Sequence, residues 1–157
     1  MCDYSLMGVP NRLAEQGEEL CSHRFSTGSI GLAPAAEVAA YHAWGKANAQ
    51  AGMLADIFSC QKRPIVHAAC LLPGTRLVLS GIPSEIQQSC GVGAVDKVTF
   101  TQITAQENTH RDAFRFGNGN TVLIQKCGEG VRVLVESLED ATEREEVAEE
   151  VFTYARR

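Results

Sequence analysis

The stretch that decides the fold is DAFRFGNGNTVLIQKCGEGVRVLVES, residues 112–137. Apolar side chains recur in it with the spacing of β-strands, in three runs over residues 112–116, 121–126 and 131–137. The first connection, GNGN, contains Asn-Gly, the strongest short-range signal for a hairpin. The second connection, GEG, is equally short, and connections of this length join antiparallel neighbours. The stretch therefore predicts a three-stranded antiparallel meander.

Upstream of this meander the pattern predicts more strands, at residues 20–25, 75–80 and 97–103, and a short helix at 84–88 with Ser84 as its N-cap. In the first of these strands, Cys21, His23 and Phe25 share one face, because side chains alternate along a strand. We expect a small antiparallel sheet or a partly open barrel from these strands.

Two longer helices complete the predicted fold. Pro34 opens an alanine-rich stretch over residues 35–59, which predicts one bent helix or two short ones, interrupted by Gly45 and Gly52. The run Thr142-Glu143-Arg144-Glu145 fits a capping box and begins an acidic C-terminal helix. The prediction is an α+β domain spanning residues 1–157 with a C-terminal meander, a central Ala-rich helix and a C-terminal helix.

Composition and charge exclude several classes of function. The chain has 157 residues, of which 45% are hydrophobic and 21% charged, as in an ordinary globular domain. Its 14 basic and 19 acidic residues give a net charge of −5 without a basic stripe, so we expect no nucleic-acid partner. No apolar run approaches the ~20 residues of a membrane span. The N-terminus lacks the features of a signal peptide. We expect a cytoplasmic protein whose six cysteines are thiols.

Cys2 is the candidate nucleophile. If Met1 were removed, the Cys2 thiol would lie beside its own α-amine, which could serve as its base, as in glutamine amidotransferases of the N-terminal nucleophile type. Asp3 follows where those enzymes usually carry glycine, and the chain is short for their fold. A cysteine-dependent hydrolase or transferase using Cys2 is therefore the alternative function.

A metal or thiol site is the other chemical prediction. Cysteine and histidine are close together twice, at Cys21-Ser22-His23 and at His67-Ala68-Ala69-Cys70. His110 lies in Thr109-His110-Arg111-Asp112, just before the meander, where an acid–base or anion-orienting role is also possible chemistry. A zinc-like ion needs three or four such ligands. Neither spacing matches a zinc finger, and the alternative remains open that each thiol is buried and each histidine hydrogen-bonded.

The opening Met1-Cys2-Asp3-Tyr4-Ser5-Leu6 resembles that of a group of small bacterial proteins with no established activity. The similarity extends to CLLPGT at 70–75 and to THRDA at 109–113, which precedes a hairpin. In that group the connection corresponding to residues 34–66 is shorter, so the resemblance implies a helical insertion here. It also singles out Cys2, Cys70 and His110 as a shared metal site.

The leading functional hypothesis is a non-enzymatic accessory or binding protein, such as a subunit of a larger assembly. Its partner would be another protein that docks on the Ala-rich helix or on the acidic C-terminal helix. The hypothesis includes a Cys/His metal or thiol site built from Cys2, Cys70 and His110, for which a zinc-like ion is the candidate cofactor.

Overall fold

The computed structural model describes residues 6–51, 62–104 and 109–138. Within them the chain forms two α-helices, α1 (Ala35–Ala51) and α2 (Ser84–Cys90), and a 3-10 turn (Ile124–Lys126). The strands are β1 (Asn11–Leu13), β2 (Glu19–Arg24), β3 (Ile30–Pro34), β4 (Ala68–Cys70), β5 (Arg76–Ser80), β6 (Val95–Gln102), β7 (Asp112–Phe116), β8 (Thr121–Leu123) and β9 (Arg132–Ser137).

Seven of these strands form one antiparallel sheet in the order β3-β2-β9-β5-β6-β7-β8. The sheet curls into a half-barrel, so that its two edges approach each other. The backbone N–H of Ile30, on edge strand β3, donates to Gln125 Oε1 in the 3-10 turn that follows edge strand β8, over 2.7 Å. The predicted α+β fold with a partly open barrel is thus confirmed.

The hollow of the half-barrel holds the main hydrophobic core. Most of its largest fully buried side chains belong to strands of the sheet: Leu20, Leu77, Leu79, Phe114, Val133 and Val135. Leu71, in the segment after β4, is buried with them. Burial of a Leu, Val or Phe side chain stabilises a fold by about 1.5–3 kcal/mol, so this core is a large favourable contribution.

A second, smaller core lies on the other face of β2 and β3. Helix α1 packs against these two strands through Val38, and Phe25 and Ala33 are buried with it. The short parallel pair β1–β4 adjoins this region and contributes Ala68. Strand β2 is therefore covered on both faces, and the face that carries Cys21, His23 and Phe25 is directed toward α1, with the three residues on one side as predicted.

The hairpin at Asn118-Gly119 is confirmed, since β7 and β8 are antiparallel neighbours. The third strand of the predicted meander is placed differently. The chain leaves the sheet after Leu123 and makes the 3-10 turn, and β9 then pairs with β2 and β5 instead of β8. The inference from the short GEG connection was wrong because the 3-10 turn occupies three residues predicted as strand and redirects the chain.

Among the helices, α1 confirms the first part of the Ala-rich prediction, whose remainder lies outside the described residues. Helix α2 starts where predicted, but its N-cap is Pro83, and Ser84 makes no capping hydrogen bond. The C-terminal helix and Cys2 also lie outside the described residues. None of the helices in the described ranges is both long and apolar enough to cross a bilayer.

Candidate functional site

An open cleft with a volume of about 370 Å³ lies at the end of β2, beside α1. Its walls come from the turn before β1, from β2 and the turn after it, from α1, and from the segment that leads into β4. The lining residues are Gly8, Val9, Pro10, His23, Arg24, Phe25, Ser26, Tyr41, Arg63, Pro64 and Val66. This volume is in the range of small-molecule sites, which span roughly 300–1,000 Å³.

His23 is placed in the cleft by the alternation of β2. Its neighbour Ser22 faces the main core, so the His23 side chain is directed to the opposite face, toward α1. The residue is only 8% exposed. Its imidazole makes edge-to-face contacts with Phe25 at a centroid distance of 5.1 Å and with Tyr41 at 6.0 Å. No hydrogen bond joins the ring nitrogens to another described residue, which leaves them available to a ligand in the cleft.

Arg63, in the segment that leads into β4, supplies a cation to the same cleft. Its guanidinium carbon lies 4.8 Å from the centroid of the Tyr41 ring and 5.8 Å from that of Trp44. The guanidinium also donates a hydrogen bond to the Tyr41 hydroxyl. Such contacts fix the position of an arginine without neutralising its charge. Over the described parts of the chain, no carboxylate lies within the 4.0 Å of an ion pair with Arg63.

The lining of the cleft has a positive electrostatic character in a protein of net negative charge. Arg24, Arg63 and His23 line it, and none of the lining residues that the structure describes is acidic. Arg24 is partly neutralised, because its Nε lies 3.6 Å from the carboxylate of Glu129. Arg63 is therefore the principal cation of the cleft, and its side chain is exposed, so an anion can reach it directly.

The protonation of His23 depends on its surroundings. Burial lowers the pKa of the imidazole below its ordinary value, the carboxylate of Glu129 partly offsets that effect, and the neighbouring His42 lowers the pKa further. The ring is consequently neutral at neutral pH when the cleft is empty. A neutral imidazole can donate one hydrogen bond and accept another.

A second, much smaller cavity of about 20 Å³ lies at the open side of the half-barrel. Cys70 and Asp112 both line it, and Asp112 Oδ1 accepts a hydrogen bond from Gln102 Nε2 over 2.8 Å. The cavity has room for about one water molecule. The structure therefore brings together Cys70 and the start of β7, two residues after His110, where the sequence predicts chemistry.

The structure bears differently on each of the proposed metal ligands. Cys2 lies outside the described residues, so the set Cys2, Cys70 and His110 stays a prediction. Cys70 is disulfide-bonded, so the expectation of six free thiols was wrong for this residue, and only its reduced form could ligate a metal. Within residues 6–51, 62–104 and 109–138, no group of three or more His, Cys, Asp and Glu side chains could hold a metal ion.

The other described cysteines, Cys21, Cys90 and Cys127, carry free thiols. Cys90 and Cys127 are buried in the main core as small apolar side chains, and burial together with the nearby Cys90 raises the pKa of Cys127 to about 12. Burial also raises the pKa of Cys21. Because the thiolate is the reactive form, neither Cys21 nor Cys127 has the environment of a nucleophile.

His67 is held by a carboxylate on α1. Glu37 Oε2 accepts a hydrogen bond from the backbone N–H of His67 over 2.8 Å and lies 3.1 Å from its Nδ1. This pair fastens the residue before β4 to the first turn of α1. The position of Glu37 there also suits the helix dipole.

Sequence patterns identified only part of the cleft. The alternation around Cys21 and Phe25 places His23 on the correct face, but it says nothing of the partner that covers that face. From the sequence, Tyr41 is predicted to be one apolar position of an Ala-rich helix, and Arg63 is predicted to lie in a loop. Their proximity is a tertiary contact between residues 22 positions apart, which no local signal reveals.

Comparisons of the chain with protein-family models, curated proteins and solved structures found no match.

Proposed function

We propose that the protein is a non-enzymatic binding protein that takes a small organic anion into the cleft beside α1. The ligand class follows from the chemistry of the walls. Val9, Phe25 and Val66 offer apolar contact, and Arg63 offers one cation that can form two parallel hydrogen bonds with a carboxylate. A flat apolar body that carries a carboxylate, as in an aromatic acid, matches both features.

The observation that carries this proposal is the state of Arg63. Its guanidinium is held against Tyr41, yet no carboxylate of a described residue neutralises it. A guanidinium that is held in place at the wall of a concave site, without an ion-pair partner among the described residues, favours an anionic occupant, because little side-chain freedom is lost when a carboxylate binds to it. An accessory role in a larger assembly is compatible with such a ligand.

The test uses Trp44, the single tryptophan of the chain, whose ring is 5.8 Å from the Arg63 guanidinium. Benzoate and indole-3-acetate are titrated against the protein while benzoate binding is followed by tryptophan fluorescence and indole-3-acetate binding by calorimetry. We expect saturable binding of both acids and much weaker binding of benzamide, which has the shape of benzoate without its charge. Arg63→Gln should weaken benzoate binding by about 1.5–3 kcal/mol, the usual value of a hydrogen bond to a charged group.

Arg76→Gln is the matched control, because Arg76 is an exposed arginine on β5 without an ion pair to any described residue. It should leave benzoate affinity unchanged. Equal affinity of the protein for benzamide and benzoate would contradict the proposal, as would a fully retained affinity in Arg63→Gln.

The two chemical hypotheses involving Cys2 stay predictions. For the metal site, elemental analysis of the reduced protein tests for a stoichiometric zinc-like ion bound by Cys2, Cys70 and His110. For the hydrolase or transferase, intact mass decides whether Met1 is removed, and its retention would exclude Cys2 as an N-terminal nucleophile. Docking of a protein partner on the Ala-rich helix or on the acidic C-terminal segment likewise stays a proposal.

A further inference from the structure

We infer that ligand capture in this cleft is coupled to proton uptake, with the imidazole of His23 becoming protonated as a carboxylate enters. The inference rests on the proposed function, since it concerns the same cleft and the same anionic ligand. It adds a second binding group and a regulatory consequence, namely that the affinity depends on pH in the physiological range.

The geometry around His23 supports this role. The residue lines the cleft and is 8% exposed, and its ring contacts Phe25 and Tyr41 only through aromatic edges and faces. The ring nitrogens of His23 form no hydrogen bond with a described residue, and neither is a fully buried unpaired atom, so solvent reaches them at the cleft that His23 lines. An anion that enters the cleft can therefore take the place of water as the hydrogen-bond partner of one of them.

The charged and titratable groups around His23 come from four parts of the chain. Helix α1 contributes Tyr41 and His42, with the His42 ring centroid 6.1 Å from that of His23. The turn before β9 contributes Glu129, whose charge is already shared with Arg24 of β2 itself. The segment before β4 contributes Arg63, which lines the same cleft. Among the residues that the structure describes, no carboxylate lies within 4.0 Å of the His23 ring nitrogens.

The sign of the coupling follows from these charges. Burial holds the His23 pKa below its ordinary value in the empty cleft, and a carboxylate at hydrogen-bond distance would raise it, as opposite charges within about 4–6 Å do. The complex then holds more protons than the free protein between those two pKa values. Affinity must therefore rise as the pH falls through that interval and become constant below it, until the ligand itself is protonated.

The step balances without any other reactant. One proton passes from the solvent to a ring nitrogen of His23, no covalent bond of the ligand forms or breaks, and the ligand stays ionised. The complex thus gains a cation and an anion together, which limits the electrostatic cost of burying either one.

The experiment is isothermal titration calorimetry of the wild-type protein with benzoate in phosphate and in Tris, two buffers with different heats of ionisation. We expect net uptake of between zero and one proton per benzoate bound near neutral pH. The affinity should increase by up to about tenfold per pH unit as the pH falls. In an NMR titration, the apparent pKa of His23 should be higher in the complex than in the free protein.

Two variants identify the group that takes up the proton. His23→Gln should abolish the proton uptake and flatten the pH profile, whereas His42→Gln should retain both, because the His42 side chain is exposed and does not line the cleft. If His23→Gln does not fold, the NMR titration of the wild type still shows whether benzoate raises the pKa of His23.

The outcomes separate this inference from the proposed function. Benzoate binding without proton uptake would overturn the coupling and leave the anion-binding function intact. An absence of benzoate binding at every pH would overturn both. Proton uptake that disappears in His42→Gln and persists in His23→Gln would assign the proton to the wrong imidazole and refute the inference.

Discussion

Ser22 is a buried polar residue on the strand that also carries His23. It is 2% exposed, and its hydroxyl accepts a hydrogen bond from the backbone N–H of Val131 over 2.9 Å. Two backbone bonds flank this contact, from Ser22 N–H to Val131 O and from Gly130 N–H to Ser22 O. Because the hydroxyl is the acceptor for an N–H group at the start of β9, a side chain without oxygen leaves that group unpaired inside the protein.

Ser22→Ala should therefore lower the free energy of unfolding by about 1–3 kcal/mol, the cost of a buried donor that has lost its partner. Chemical denaturation with the slope held in common for both proteins measures this difference. Ser26→Ala is the control, since Ser26 is exposed and makes no side-chain hydrogen bond to a described residue, and it should change stability by less than about 0.5 kcal/mol. An equal effect of the two substitutions would contradict this account.

At the scale of single residues, the sequence predicts well which face of a strand a side chain lies on. It predicts poorly which side chains from distant parts of the chain are in contact. Strand alternation assigns Cys21, His23 and Phe25 to one face, and their burial beside α1 agrees. The scattered spacing of the cysteines in the sequence also predicts that they behave as small apolar side chains, and Cys90 and Cys127 are indeed buried in the main core. The position of Arg63 over Tyr41 depends on how the chain returns from α1 to β4, and no periodicity encodes that path.

At the scale of elements, the hairpin turn between β7 and β8 has a second role. The side chains of Asn118 and Asn120 both donate to the carbonyl oxygen of Cys90, over 2.7 and 2.8 Å. That carbonyl belongs to the last residue of α2, and the helix ends through Gly91, which adopts the left-handed conformation with φ of 65°. The turn thus supplies hydrogen-bond donors to a carbonyl group at the C-terminal end of α2 that has no partner within the helix.

Because two amides donate to one oxygen, their removal should not be additive. Asn118→Ala and Asn120→Ala should each cost roughly 1 kcal/mol or less, since the other amide still pairs with the Cys90 carbonyl, whereas the double variant should cost more than their sum. A double-mutant cycle from denaturation curves measures this coupling. Asn48→Ala, which removes a bond to Trp44 O within α1, serves as an unrelated control. Simple additivity would show that the two bonds act independently.

The sequence predicts individual elements more reliably than it predicts their neighbours. Asn118-Gly119 defines the β7–β8 hairpin because Gly119, with φ of 87°, adopts a conformation that most residues avoid. The position of β9 between β2 and β5 has a different origin. Strand β9 buries Val133 and Val135 in the main core together with Leu20 of β2 and with Leu77 and Leu79 of β5, and that packing involves the whole sheet. A loop length limits which strands can be adjacent, but it does not choose among them once a 3-10 turn intervenes.

At the scale of the whole molecule, the half-barrel is closed by side chains instead of by a continuous ladder. The hydrogen bond from Ile30 N–H to Gln125 Oε1 joins its two edges across the main core. Ile124 beside it is buried in the same core as Ile30, so the contact has a polar and an apolar component. The alternation of apolar and polar residues along the strands predicts that the sheet curves, but not where its edges meet. The polar part of this closure depends on one residue, Gln125.

Gln125→Ala should loosen the gap between the two edges without unfolding the sheet. We expect faster hydrogen exchange of the Ile30 amide, by roughly an order of magnitude if the lost bond contributes about 1 kcal/mol, while amides in the β5–β6 ladder keep their protection. Native-state exchange followed by NMR gives both values. Gln88→Ala, at an exposed position of α2, is the control. Unchanged exchange at Ile30 in Gln125→Ala would show that apolar packing alone holds the edges together.

The central place of β9 has a consequence for how the protein is made. Val131 contacts Ser22 across a separation of 109 positions, so the middle of the sheet is completed by residues that leave the ribosome long after β2 has emerged. Without β9, strands β2–β3 and β5–β8 have no pairing with each other, and each group has an unpaired edge where β9 belongs. Such non-local pairing is slow to form. We therefore expect open strand edges on the nascent chain until β9 emerges, and chaperones that shield them should have the greatest effect at this stage.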